Sequence, residues 1–173
     1  IRINSGNPTL DQVHVTRVSG VPFSSSLSAD PIQTGLSAAN NTVEAYLLDG
    51  GTLTNSRTWD VITLPYMFTS NLTVDGAAAL TIKPGVVLKM DTGQFFQVAG
   101  RLDAQGTLTQ PIVFTARADD TALGDSFHDG ATSVPINGSW ESLYIDGAGT
   151  TLDHVDIRYA GNAANPGNIF NYV

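Results

Sequence analysis

The sequence predicts an all-β protein, a parallel β-solenoid, and three observations carry that prediction. Within residues 71–117, apolar runs at 72–74, 80–82, 86–90, 95–98 and 111–115 are separated by Gly, Asp, Pro or Thr. No run is long enough for a helix or follows a 3.6-residue period. Each has the length and the β-branched or aromatic content of a buried strand. Second, the chain repeats itself. Residues 9–15 (TLDQVHV) match residues 151–157 (TLDHVDI), and an aliphatic residue followed by Asp-Gly recurs at Leu48-Asp49-Gly50, Val74-Asp75-Gly76 and Ile145-Asp146-Gly147. Val98-Ala99-Gly100 is a degenerate copy, and the aliphatic positions Leu48, Val74, Val98 and Ile145 lie 26, 24 and 47 residues apart. Such spacing implies rungs of roughly 20–26 residues with about three short strands each, every rung burying its Val, Ile and Leu under the next at about 4.8 Å. Third, only 14% of the 173 residues are charged while 17 are Gly, a balance that suits a turn-rich β protein and not a helical bundle. A flat antiparallel sandwich is the alternative, but its hairpin signal is confined to Asp49-Gly50-Gly51.

Taken in order, residues 1–20 read as two strands around an Asn7-Pro8 turn. Residues 21–41, rich in Ser, Pro, Ala and Asn, read as a long loop insertion carrying one short strand. Residues 43–54 return to strand character. Residues 55–70 hold Trp59, Tyr66 and Phe68, a bulky set that packs under a loop or along a rung, with a sugar-stacking platform as the alternative. Residues 71–117 form the most regular stretch, with Pro84-Gly85 suited to a type II corner. Residues 118–139 are polar and turn-rich and read as a second inserted loop. Strand pattern resumes at Trp140 and continues to Gly161, and the last residues include Ile169, Phe170, Tyr172 and Val173. The whole, residues 1–173, is expected to be one domain.

Composition excludes several function classes. Sixteen acids against eight bases give a net charge of −8, which argues against nucleic acid and anionic membranes. No window of 18 apolar residues is present, so no membrane span is expected. The absence of cysteine excludes a disulfide framework, a thiol nucleophile and a Cys-based zinc site.

Three segments carry a family resemblance: ALTIKPGVVLKM at 79–90, VAGRLDAQGTLTQPIVFTAR at 98–117 and GSWESLYIDGAGTTLDHVDIRYAG at 138–161. Their motifs and their order resemble bacterial secreted right-handed parallel β-helix repeat proteins of pectate-lyase-like architecture. The resemblance runs from about residue 41 to 161. It implies a right-handed β-helix, an extracellular or cell-surface location, and a role that is structural or adhesive, or else carbohydrate-directed.

The sharpest candidate site is the acidic loop of Asp119, Asp120, Asp125 and Asp129. Residues 125–130 have the Asp-x-x-x-Asp-Gly frame of a calcium loop, in which carboxylates at the first, third and fifth positions precede a Gly turn. The third position is Phe127, which cannot ligate through its side chain, and no Glu stands at the twelfth. Calcium is thus the one cofactor the sequence suggests. The resemblance also raises a polysaccharide lyase or hydrolase. Of the sequence segments that mark polygalacturonases on this fold, however, the chain has only Asp119-Asp120. A paired-carboxylate glycosidase needs two acids on one face, and Asp103, Asp153 and Asp156 are the acids that can meet that condition. His14, His128 and His154 form no ligand pair, and Ser24 to Ser26 lack a nucleophile elbow. No catalytic residue is assigned, and the expectation is a non-enzyme.

The ends complete the reading. The chain starts with IRINSGNPTL and stops with GNIFNYV, both strand-like, so the expectation is one unit of a longer tandem array or a subunit that stacks head to tail into a fibre. The partner expected is therefore the chain itself, with polysaccharide as the alternative.

Overall fold

The computed structural model describes residues 1–161 and the strand Ile169–Asn171. The apolar side chains at 169, 170, 172 and 173 lie outside the described residues. No helix occurs among the described residues; twenty short strands follow one another around a coil. The first rung holds β1 (Arg2–Ile3), β2 (Thr9–Asp11) and β3 (His14–Thr16). The second holds β4 (Phe23–Ser25), β5 (Ile32–Thr34) and β6 (Ser37–Ala39). The third holds β7 (Tyr46–Leu48), β8 (Gly51–Leu53) and β9 (Arg57–Trp59), and the fourth β10 (Tyr66–Phe68), β11 (Leu72–Val74) and β12 (Ala79–Ile82). The fifth holds β13 (Val87–Met90), β14 (Phe96–Val98) and β15 (Arg101–Gln105). The sixth holds β16 (Ile112–Ala116), β17 (Leu143–Ile145) and β18 (Thr151–Asp153), after which β19 (Val155–Ile157) and β20 (Ile169–Asn171) begin the next.

Equivalent strands of successive rungs pair in parallel. The first sheet runs β1-β4-β7-β10-β13-β16-β19, the second β8-β11-β14-β17-β20 and the third β9-β12-β15-β18, while β2-β5 and β3-β6 form short two-stranded sheets. In the first sheet Phe23, Tyr46, Tyr66, Leu88 and Phe114 fall in one column at offsets of 23, 20, 22 and 26 residues. The next offset, from Phe114 to Ile157, is 43 residues, because residues 117–142 are inserted between β16 and β17. The parallel β-solenoid and its inserted polar loop follow the sequence prediction. The hairpin alternative is excluded at Asp49-Gly50-Gly51, since β7 and β8 belong to different sheets.

Side-chain alternation fills the coil. Tyr46, Tyr66, Leu88 and Phe114 point inward from the first sheet and join one core with Val74, Val98 and Leu143 of the second and Leu80 and Leu102 of the third. Aromatic rings climb the axis in contact. Phe23 stacks on Tyr46 at 6.1 Å, Tyr46 meets Tyr66 at 5.3 Å, and Trp59 meets Tyr66 at 5.4 Å and Phe68 at 5.6 Å. Phe96 continues the ladder to Phe114 at 5.8 Å. Each such pair contributes about 0.5–1.5 kcal/mol beyond its area burial. Trp59, Tyr66 and Phe68 are all buried in this core, so they are not a sugar-stacking platform.

Three expectations require correction. Residues 21–41 are not an inserted loop with one strand but a complete rung of three, β4 to β6. Their Ser and Ala content hid the pattern, because small residues fill buried positions without an apolar signature. Leu48 is not in the column of Val74. Leu48 pairs with Ser25 and Phe68 in the first sheet, whereas Val74 pairs with Leu53 and Val98 in the second. The true offset there is 21 residues, from Leu53 to Val74. Finally, the two repeated segments share a local shape but different partners. Both place a left-handed residue between two strands, Gln12 at φ 52° and His154 at φ 48°, and a second after them, Arg17 at 58° and Tyr159 at 59°. Yet β3 pairs only with β6, while β19 joins the first sheet beside β16.

Candidate functional site

Residues 117–142 fold back over the outer face of the first sheet. In a sheet, alternate residues face opposite sides, so Val87, Lys89, Val113 and Thr115 point away from the core yet are buried. Ala122 of the loop closes over Val87 and Val113 as a small second apolar cluster. Beside it Lys89, 0% exposed, donates from Nζ to the Gly124 carbonyl at 2.8 Å and to Ser126 Oγ at 3.0 Å. Desolvation pulls the Lys89 ammonium below the ordinary lysine pKa, against the pull of Asp119, Asp120 and Asp125. The loop is also tied across rungs. The Glu44 amide donates to the Ser126 carbonyl at 2.8 Å, and the Arg117 guanidinium lies 4.8 Å from the Phe127 ring centre.

Of the four candidate ligands the structure brings three together. Oxygens of Asp120, Asp125 and Asp129 lie within 4.8 Å of one another, all part-buried. Asp125 is held by the loop itself, its Oδ2 accepting the Gly130 N–H at 2.8 Å and its Oδ1 the Phe127 N–H at 3.1 Å. These backbone bonds, that of Gly130 foremost, lower its pKa. Asp120 shifts upward instead, through desolvation and then its acidic neighbours Asp125, Asp129 and Asp119, opposed by Lys89. Asp129 Oδ2 accepts from Ser133 Oγ at 2.7 Å, while its buried Oδ1 has no hydrogen-bond partner. Converging carboxylates with one buried, unpartnered oxygen fit a hard divalent cation such as calcium, which takes oxygen ligands. Phe127, at the third frame position, contributes its ring to Arg117 and not a ligand.

Asp119 stands apart. It is 0% exposed and its oxygens are already engaged. Oδ2 accepts from Thr115 Oγ1 at 2.7 Å, Oδ1 from the Thr121 hydroxyl at 2.6 Å and amide at 3.1 Å, and Arg158 Nη1 lies 3.5 Å away. Burial pushes its pKa up, but the Thr121 and Thr115 bonds and Arg158 outweigh it and hold the carboxyl below its usual range. Its task is to pin the root of the loop to β16. Lys89, Thr115, Ser126 and Arg158 were missed from sequence as members of this site. The signal for Lys89 was present, a lone cation inside the apolar run 86–90.

Asp103 and Asp153 share the outer face of the third sheet, and Asp156 lies on a different sheet. Asp103 and Asp153 sit in the third sheet, in register with Thr151 and Gln105 respectively, whereas Asp156 sits in the first, opposite Val113. Each also has its own partner: Gln105 at 2.6 Å from Asp103, His154 at 2.8 Å from Asp153 and Arg158 at 2.6 Å from Asp156. No helix among the described residues is long and apolar enough to cross a membrane. Neither a family model, nor a curated protein, nor a solved structure matches this chain.

Proposed function

We propose that the chain is a structural module of the cell surface or extracellular space, built to stack rung on rung with further solenoid into an array or fibre. The observation that supports this most is the rung-on-rung stacking itself, with equivalent strands paired in parallel through successive rungs, seven deep in the first sheet. A parallel edge is a ready template for a further strand, and solenoid rungs stack on their neighbours through the same kind of contact. The surface location rests on the resemblance of its motifs to secreted repeat proteins. Sedimentation across a range of concentrations, with electron microscopy of the same samples, tests the proposal. Growth of end-to-end oligomers with concentration is expected; a monomer that persists at high concentration removes the fibre reading.

One observation favours a second reading, binding of a polysaccharide. On the outer face of the second sheet, Phe95 and Tyr144 form an edge-to-face pair at 5.8 Å. With Gln97, Glu141 and Asp146 they line a hollow of about 310 Å³. Aromatic faces beside amide and carboxylate groups suit a sugar ring. Electrophoresis in gels containing neutral or acidic polysaccharide checks it: retardation that a Phe95→Ala variant loses supports binding, and unchanged mobility in every gel rules it out.

A further inference from the structure

Beside the aromatic ladder, polar atoms gather at one level, between the second and third rungs. There the sheets are not continuous: β5 pairs with β2 alone, and the third sheet starts at β9. The break leaves a cavity of about 20 Å³ whose walls include Ser25, Asp30, Gln33, Tyr46 and Arg57. Two wall residues carry buried polar atoms without a hydrogen-bond partner, the Tyr46 hydroxyl and Arg57 Nε. Tyr46 is 1% exposed, so bulk solvent does not reach it. Around them the other groups are partly committed. Arg57 Nη1 donates to the Ala29 carbonyl, and the Tyr66 hydroxyl donates to Gln33 Oε1 over a long 3.4 Å. Ser25 and Gln33 lie close enough to the Tyr46 hydroxyl to act on it without completing a bond.

We infer that this cavity between the second and third rungs is a binding site for one ordered internal water, which bridges the Tyr46 hydroxyl and Arg57 Nε. The volume suits one water, which needs roughly 10–15 Å³ and two to four polar partners. Arg57 Nε supplies a donor, the Tyr46 hydroxyl either role, and Gln33 and Ser25 acceptors. A small anion suits the site less well, because Asp30 lines the same cavity. The water completes the hydrogen bonding of two buried side chains that the protein alone leaves without a partner. It is thus a structural ligand of the solenoid, filling a gap left where two sheets fail to join.

Two measurements test the inference on the intact chain. A high-resolution crystal structure is expected to show a single solvent peak at about 2.7–3.2 Å from both atoms. An empty cavity, or a chloride identified by anomalous scattering, overturns it. Separately, water-oxygen relaxation dispersion counts long-lived internal waters, and Tyr46→Phe is expected to lose one of them and to melt at a lower temperature than the parent. The sign of the melting shift discriminates, because deleting an orphaned buried hydroxyl relieves a desolvation penalty whereas deleting a bridged one removes a bond. An unchanged water count with a raised melting temperature overturns the inference.

Discussion

At Asp119 a single carboxylate illustrates how burial and hydrogen bonding compete. Desolvation alone would raise its pKa, yet donors from Thr121 and Thr115 with Arg158 hold it below the usual carboxylate value. Because its folded pKa lies below its unfolded value, its contribution to stability is fully present above about pH 4 and is lost as the pH falls through the folded pKa. Urea unfolding between about pH 5 and pH 3 is expected to show the parent losing stability more steeply than Asp119→Asn. At pH 7 the Asn variant is expected to be weaker by about 1.5–3 kcal/mol, the scale of hydrogen bonds to a charged group. Superimposable pH profiles would show that the charge of Asp119 plays no part. None of this was legible in the sequence. The Asp119-Asp120 pair reads as two equal acids, and only the fold turns one inward against Thr115 and the other toward Asp125 and Asp129.

Among the elements, the glycine column and the inserted loop make separate predictions. At two copies of the aliphatic-x-Gly repeat, Gly100 and Gly147, the backbones of adjacent rungs touch. A Cβ on Gly100 would lie 2.1 Å from the Asp75 carbonyl oxygen and 2.2 Å from that of Ala78, and one on Gly147 would lie 1.9 Å from the Gly100 oxygen. Rigid backbone cannot yield by that much. Gly100→Ala is expected to cost about 3 kcal/mol or more in chemical denaturation. Gly93→Ala meets no atom within 4 Å and strains only its φ of +71°, so about 1–2 kcal/mol is expected. Equal losses would refute the close-approach account. In the inserted loop, millimolar calcium is expected to raise the melting temperature by several degrees, and Asp125→Asn to abolish the rise. No shift in the parent, or the same shift in the variant, ends the calcium assignment. Here sequence reasoning found the acidic loop, but not the Lys89 ammonium buried beneath it, because side-chain burial on the outer face depends on what the loop covers.

The whole molecule is a stack, and its assembly prediction belongs to that scale. Pairing of β2 with β5 uses the Pro8 carbonyl and the Gln12 amide, and parallel ladders alternate, so the Thr9 and Asp11 amides face the open side. By the same alternation the Ser37 amide takes the Val13 carbonyl and leaves the Thr16 amide outward. Proline removes an amide donor from a strand. A double variant, Asp11→Pro with Thr16→Pro, is expected to stay folded by circular dichroism while abolishing concentration-dependent oligomers in sedimentation. Oligomers that survive the double variant would place the contact elsewhere.

Strand character, the corner residues and a rung length in the twenties were determined by the sequence alone, because each is local. A strand buries one face with a period of two, and a corner demands glycine or a left-handed residue whatever its neighbours. Residues 71–117 carried that information in full, with Val74 and Val98 already in true register. What covers what was decided only by tertiary structure. Leu48 left the column of Val74, Ser24 and Ala38 turned out to sit within a rung, and Lys89 went under the inserted loop. Register between rungs is set by the sum of long-range contacts, and a chain whose strands are two to five residues long has too few side chains per strand to declare it in advance.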